Sequence, residues 1–416
     1  MSKLPEIVFT GMGVISPIGI GMDAVWQSLN SGKSGVATRP GFEHVETPFA
    51  IAAPVIDFDG KLYVKPRKSI KVMCRQIQFG FAAATMAVED AGIAEGVVQP
   101  ERIATVFGGE AYYANPEELL DVFKKCIALG GDTKAWGEVA MKQIEPLWML
   151  KYLPNMVASH ISIAIDARGP SNSIVQGDNS SLLAIIEGID LLQRGMADVA
   201  VVGATGSQMS ETAMVYRGGE RLSPNYQEPT KACRPFDAHR DGTVAGEGAA
   251  AFVIETRQHA EARGAKILGS VLGFDRAFAP LPSQMSARLS RSLQQTLEQS
   301  NLAAIEVGHV NANGSGVVCE DRSEAMAIRD VLGDCPVFAA KSYFGNLGPA
   351  TGAVELAATL IALKQRTLPA TLNYQTPDPE CPVNVLAVNS PIENLNAMVI
   401  NQSLTGQIAS LLITGN

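Results

Sequence analysis

Residues 169–203, GPSNSIVQGDNSSLLAIIEGIDLLQRGMADVAVVG, constrain the fold more than any other segment. A strand runs into a turn at Gly177, a helix apolar on several faces starts at once, and it feeds a strand at 199–203. A helix with no solvent face has to be covered on all sides. The rest of the chain alternates short β-branched runs with amphipathic stretches, the pattern of a layered α/β fold. A strand is expected at 7–10, stopped by Gly11 and Gly13, then a helix around 24–29 with Asp23 as N-cap. Further helices follow at 69–91, ending at Gly92, and at 117–129. The apolar, proline-interrupted stretch 136–165 reads as short helices, part of a cap region at about 110–165. A second set of units starts near Lys266, with helices at 284–299, 324–332 and 351–363 and strands at 309–311 and 337–339. The boundary is placed after residue 255, giving units 1–255 and 256–416. No flexible linker marks it, so the halves should share one core.

Composition narrows the function classes. Hydrophobic residues make up 46% of the 416, enough for a large core and too many for a disordered chain. Lys and Arg number 33 against 42 Asp and Glu, a net charge of −9 that argues against phosphate-neutralising nucleic-acid binding. Charged residues are only 18%, which suggests surface buried against itself or a partner. No apolar run reaches the ~18–20 residues of a membrane span, and the start lacks a signal-peptide layout. The six cysteines form no CxxC pair and the five histidines have no zinc-ligand spacing. A cytoplasmic protein with free thiols, no metal and no cofactor is expected.

The side chain after Gly177 projects at a helix N-terminus, where backbone N–H groups and the helix dipole favour an anion. This geometry can activate a nucleophile. The residue there is Asp178, followed by Asn179, Ser180 and Ser181. On the residues alone, Asp178 or Asn179 can equally be a simple N-cap.

The motifs around this turn resemble those of the β-ketoacyl synthase (condensing enzyme) family of the thiolase superfamily. That family's elbow reads roughly GPS…DTACSSSL where this chain has GPSNSIVQGDNSSL, which puts Asp178 at the position of the acyl-carrying cysteine. Its RPFDxxRDGFVxGEGAG block is matched by RPFDAHRDGTVAGEGAA at 234–250, with Thr243 in place of Phe. VFTGMGVISPIG and PNMVASHIS also fit. The family's AHGTGTxxGDxxE loop is similar to ANGSGVVCEDRSE at 312–324, and its KSNIGHxxGAAG motif to KSYFGNLGPATG at 341–352. The two family histidines then correspond to Asn313 and Asn346, while Glu324 and Lys341 remain as a supporting scaffold pair. The closing loop NSFGFGGTNA is matched by INQSLTGQIA at 400–409, so its two gatekeeping phenylalanines are Gln402 and Leu404. The resemblance implies a thiolase-like five-layer αβαβα fold made of two similar halves.

The three replacements bear on chemistry. Decarboxylative Claisen condensation needs a thiolate to hold the acyl chain and imidazoles to promote loss of CO₂ and stabilise the enolate. Asparagine can donate a hydrogen bond to an oxyanion but cannot exchange a proton near neutral pH. The resemblance therefore points to a chain-length factor, the family's subunit without the Cys-His-His triad. Such a subunit pairs as a heterodimer with a catalytic ketosynthase and walls the acyl tunnel in type II polyketide or polyene pathways. It implies as a further partner an acyl carrier protein bearing a phosphopantetheine-bound acyl chain. By the same resemblance Tyr112 and Tyr113, after Gly108 and Gly109, would gate the tunnel, although an ordinary pair of loop tyrosines fits equally. The competing expectation is a homodimeric, divergent enzyme that uses Asp178, Asn313 and Asn346 to hydrolyse or decarboxylate acyl thioesters.

Overall fold

The computed structural model describes residues 4–210, 212 and 221–416. Two sets of strands repeat one topology. In the first, the order across the sheet is Ser171–Ile174, Ile103–Gly108, Val199–Ser207, Glu247–Thr256 and Ile7–Ser16. In the second it is Pro336–Phe338, His309–Asn311, Asn396–Gln402, Gln407–Gly415 and Gly269–Phe278. In each set the first three strands are parallel and the next two antiparallel. The sets meet edge to edge at Val8 opposite Ser270 and Phe9 opposite Gly269.

Side-chain alternation along the strands builds the layers. Ala200, Val202 and Ala204 face a central core with Ala250, Phe252 and Ile254, while Val199, Val201, Ala249, Ala251 and Val253 face an outer core under the helix Arg75–Asp90. In the second half Val399 and Leu411 point to the centre, and Met398 and Ile400 point out toward Leu289 and Leu293 of the helix Met285–Ser300. The helices Ser180–Gln193 and Thr351–Gln365 fill the central layer. The arrangement is the five-layer αβαβα fold of two similar halves. In the second central helix every residue from Thr351 to Leu363 is buried, and each fully buried Leu or Ile there contributes about 1.5–3 kcal/mol.

Local details depart from the sequence-based expectations. The first strand is not stopped by its glycines but continues to Ser16, with a register shift between Phe9 and Gly11. A Cβ at Gly11 would lie 2.1 Å from the Ala87 carbonyl oxygen, and one at Gly13 2.1 Å from that of Ala83. These glycines let the helix Arg75–Asp90 press against the strand. The helix expected at 24–29 spans Met22–Ser31 with Gly21, not Asp23, at its cap. The helix expected at 324–332 starts at Val318, which brings Asp321 onto it together with Glu324. The cap holds the short helices Thr133–Gln143 and Met156–Ala164. Among the described residues no helix is long and apolar enough to cross a membrane.

Candidate active site

The elbow is built by a few local interactions. Gly177 takes φ +60°, a left-handed conformation that suits glycine. The Gln176 N–H donates to Ser180 Oγ at 2.8 Å and that hydroxyl donates to the Gly177 carbonyl at 2.7 Å, so the turn is locked from inside. Asn179 occupies the cap position of the helix, but its side chain makes no capping bond. Fully buried, its amide crosses to the second half, donating to Asn401 Oδ1 at 3.0 Å and accepting from the Ile408 and Ala409 N–H groups at 3.2 Å. Asp178 points to Asn346, whose Nδ2 donates to Asp178 Oδ2 at 3.0 Å. The N-cap reading thus holds for Asn179 in position but not in side-chain bonding, and the second half of the fold supplies partners for both side chains.

Asn346 is itself held from two directions. Its backbone pairs with the 234–250 block, Asn346 N–H to Val244 O at 2.7 Å and Gly246 N–H to Asn346 O at 2.8 Å. Its side-chain oxygen accepts from the Gly348 N–H at 2.8 Å and the Thr351 hydroxyl at 3.2 Å, which leaves the amide nitrogen aimed at the elbow.

The loop carrying Asn313 hangs on the helix Val318–Leu332. Asp321 and Glu324, three residues apart on one face, accept its backbone donors. Glu324 takes the Asn313 and Gly314 N–H groups at 2.8 and 2.9 Å, and Asp321 takes that of Gly316 at 3.1 Å. Asp321 also accepts from the Phe236 N–H at 2.8 Å and lies 3.5 Å from Arg240, so the 234–250 block braces this loop too. Burial pushes the Glu324 carboxyl up to about 8 and that of Asp321 up to about 6.

The expected pairing of Lys341 with Glu324 is corrected. Lys341, 2% exposed, donates to the backbone oxygen of Asn313 and to its Oδ1 at 3.0 Å, and the carboxylate facing it is Glu355, 3.4 Å away. Glu324 serves the loop backbone. Burial raises Glu355 to about 7, against the opposing pull of Lys341. Sequence reasoning missed Glu355, although a lone glutamate within the apolar run TGAVELAATLIAL signals a buried charge in need of a cation.

One cavity of about 300 Å³ gathers most of these groups. Asp178, Asn313, Lys341 and Asn346 line it together with Gln402, Leu404, Arg221 and Glu320. Tyr112, Tyr113 and Glu324 do not line it. Tyr112 is buried in the outer core with Phe79, Phe107 and Val157, and its hydroxyl has no hydrogen-bond partner. Among the described residues the lining contains no histidine, and its thiol is that of the exposed Cys319. Such a site can hold a carbonyl group by amide and ammonium donors, but it offers no imidazole to shuttle a proton.

Comparison with known proteins agrees with this architecture. Residues 5–260 match the β-ketoacyl synthase N-terminal domain and residues 264–375 the C-terminal domain. A protein named polyketide beta-ketoacyl synthase 1 from Streptomyces cyaneus is 32% identical over 421 residues, covering 99% of this chain and 98% of its own. Among solved structures, a β-ketoacyl synthase from Burkholderia phymatum STM815 superposes with a TM-score of 0.88 at 26% identity, over 99% of this chain and 100% of that one. The ishigamide ketosynthase/chain length factor gives 0.86 at 25% identity over 100% of both. With its two domains and its elbow, loop and closing hairpin in the family's order, this chain belongs to the β-ketoacyl synthase family.

Proposed function

We propose that the chain is the non-nucleophilic, chain-length-factor-like half of a type II ketosynthase, acting beside a catalytic ketosynthase subunit on acyl chains carried by an acyl carrier protein. The observation that carries this reading is the composition of the cavity. A carboxylate stands at the elbow and receives the Asn346 amide, and Asn313 is bound to Lys341. A carboxylate at this place would form a mixed anhydride with an acyl group, which water hydrolyses, so it cannot store an acyl chain as a thiolate does.

The surface supports a partner. Among the described residues the strand Ser171–Ile174 ends the sheet, and its outer edge could continue the sheet into a second subunit. Following it, Val175 is 46% exposed, and the cap displays Phe123, Ile127, Met141 and Ile163 to solvent. Lys65, Arg67, Lys68, Lys71 and Arg75 form the densest basic run and would suit an acidic carrier protein, although Arg75 is already paired with Glu247. On this reading the chain works in the cytoplasm.

Co-expression with a ketosynthase that retains its Cys-His-His triad tests the proposal. A 1:1 complex should form, and intact-mass spectrometry after incubation with an acyl-carrier donor should place the acyl adduct on the partner alone. A stable adduct on this chain, or a monodisperse homodimer with thioesterase activity and no affinity for the ketosynthase, would favour the divergent homodimeric enzyme.

A further inference from the structure

We infer that two polar fastenings, Gln407 with Gln176 and Arg221 with Glu320, set the width of the cavity mouth, so that the cavity admits a slender unbranched chain and excludes branched or cyclic groups. Depth in the cavity follows exposure. Lys341, Asn313 and Asn346 are 2, 6 and 8% exposed, while the Arg221 and Glu320 side chains are 24 and 30% exposed and Leu404 is 57% exposed. The pair and Leu404 therefore lie toward the opening, while Ser403 beside it, 5% exposed, is buried.

The hairpin tip between Asn396–Gln402 and Gln407–Gly415 forms one wall of the cavity. It is tied down on both flanks. On one, Gln407 Oε1 accepts from the hydroxyls of Ser403, at 2.6 Å, and Thr405, while its Nε2 donates to Gln176 Oε1 at 2.8 Å, two residues before Asp178. On the other, the Ala279 N–H donates to Gly406 O at 2.8 Å, an approach so close that a Cβ on Gly406 would lie 2.2 Å from the Ala279 oxygen. A wall made of unattached small residues could swing; this one has a side-chain clasp to the elbow.

Elsewhere on the lining, one nitrogen of Arg221 reaches the two Glu320 oxygens at 2.5 and 2.6 Å. The pair joins the chain at 221 to the first turn of the helix Val318–Leu332, the helix that carries the Asn313 loop. A volume of about 300 Å³ is at the small end for ligand pockets. Fastened walls keep it there.

The test uses the full-length chain with a reporter in the cavity lining: Asp178→Cys in a Cys319→Ser background. It needs no partner subunit, so its outcome is separate from that of the co-expression experiment. Labelling at the introduced thiol is followed by peptide mass mapping, with N-ethylmaleimide as the slender probe and a branched polyethylene-glycol maleimide as the bulky one. The bulky probe should react at least tenfold more slowly than its intrinsic thiol reactivity predicts. Arg221→Ala or Gln407→Ala should each recover most of that factor, while the small probe changes less than twofold. Equal relative rates for both probes in the parent, or no gain in either variant, would overturn the inference. Buried Cys335 and Cys381 report unfolding by becoming labelled. Should Arg221→Ala label there, Glu320→Gln replaces it: it removes the charge that holds Arg221 while keeping the side chain's bulk, and should speed bulky labelling several-fold. An unchanged rate contradicts the role of that pair.

Discussion

Asn346 donates its side-chain amide to the carboxylate of Asp178 across 3.0 Å, joining the elbow of the first half to the turn before the central helix of the second. The Gly348 and Thr351 donors fix which end of the amide faces the elbow. Asp178→Asn keeps an acceptor for Asn346 and should cost about 1 kcal/mol or less, whereas Asp178→Ala leaves a mostly buried donor unpaired and should cost about 1–3 kcal/mol. Denaturant midpoints of the two variants check the order.

Lys341 and Glu355 form a buried ion pair, with side-chain exposures of 3 and 0%. Lys341→Met should destabilise by about 3–5 kcal/mol because it strands a buried carboxylate, and adding Glu355→Leu should recover much of that loss. A double-mutant cycle in urea measures the recovery; strictly additive losses would contradict the pairing.

The buried carboxyl of Glu324 makes stability depend on pH. Its folded pKa, about 8, lies above the unfolded value near 4.5, so the folded state binds the extra proton between those limits. Its contribution is therefore full below about pH 4.5 and is lost as pH rises toward 8, with a limiting slope of about 1.4 kcal/mol per pH unit. His309 acts in the opposite direction: burial lowers it to about 4, and its contribution is lost as pH falls from about 6.5 toward 4. Between pH 6.5 and 8 stability should fall, with Glu355, raised to about 7, adding to the decline in the lower part of the window and Glu324 dominating above about pH 7. Glu324→Gln should flatten the decline across that window in thermal melts at fixed ionic strength.

Tyr112 and Tyr113 remain our proposed gates of the acyl tunnel. Tyr112→Ala would also empty a core position at a cost of about 3–5 kcal/mol, the range for large aromatic truncations. Tyr113→Ala is thus the cleaner probe. Longer products from a complex carrying it would support gating, and unchanged products from both variants would reject it. Tyr112→Phe removes a buried hydroxyl that has no partner and should be neutral or stabilising.

Sequence order made much of this legible because motifs keep their spacing even when their chemistry is replaced. Asp178, Asn313, Asn346 and Lys341 converge with Gln402 and Leu404 in one cavity, as the motif alignment implies. What escaped were partners separated by long stretches of chain. Glu355 sits in a helix whose pattern says only that it is buried, and Arg221 meets Glu320 across 99 residues. Gly11 and Gly13 were misread because a close helix approach and a strand end use the same residue.

On the proposed function this chain contributes shape while another subunit contributes the nucleophile. Condensation by the reconstituted 1:1 complex, with one residue changed at a time, separates the two contributions. Complete loss is expected when only the partner's catalytic cysteine is replaced, and product close to the parent level when only Asp178 is changed to Asn. Loss of product from a fully folded Asp178→Asn complex, or condensation by this chain with no ketosynthase present, would contradict it.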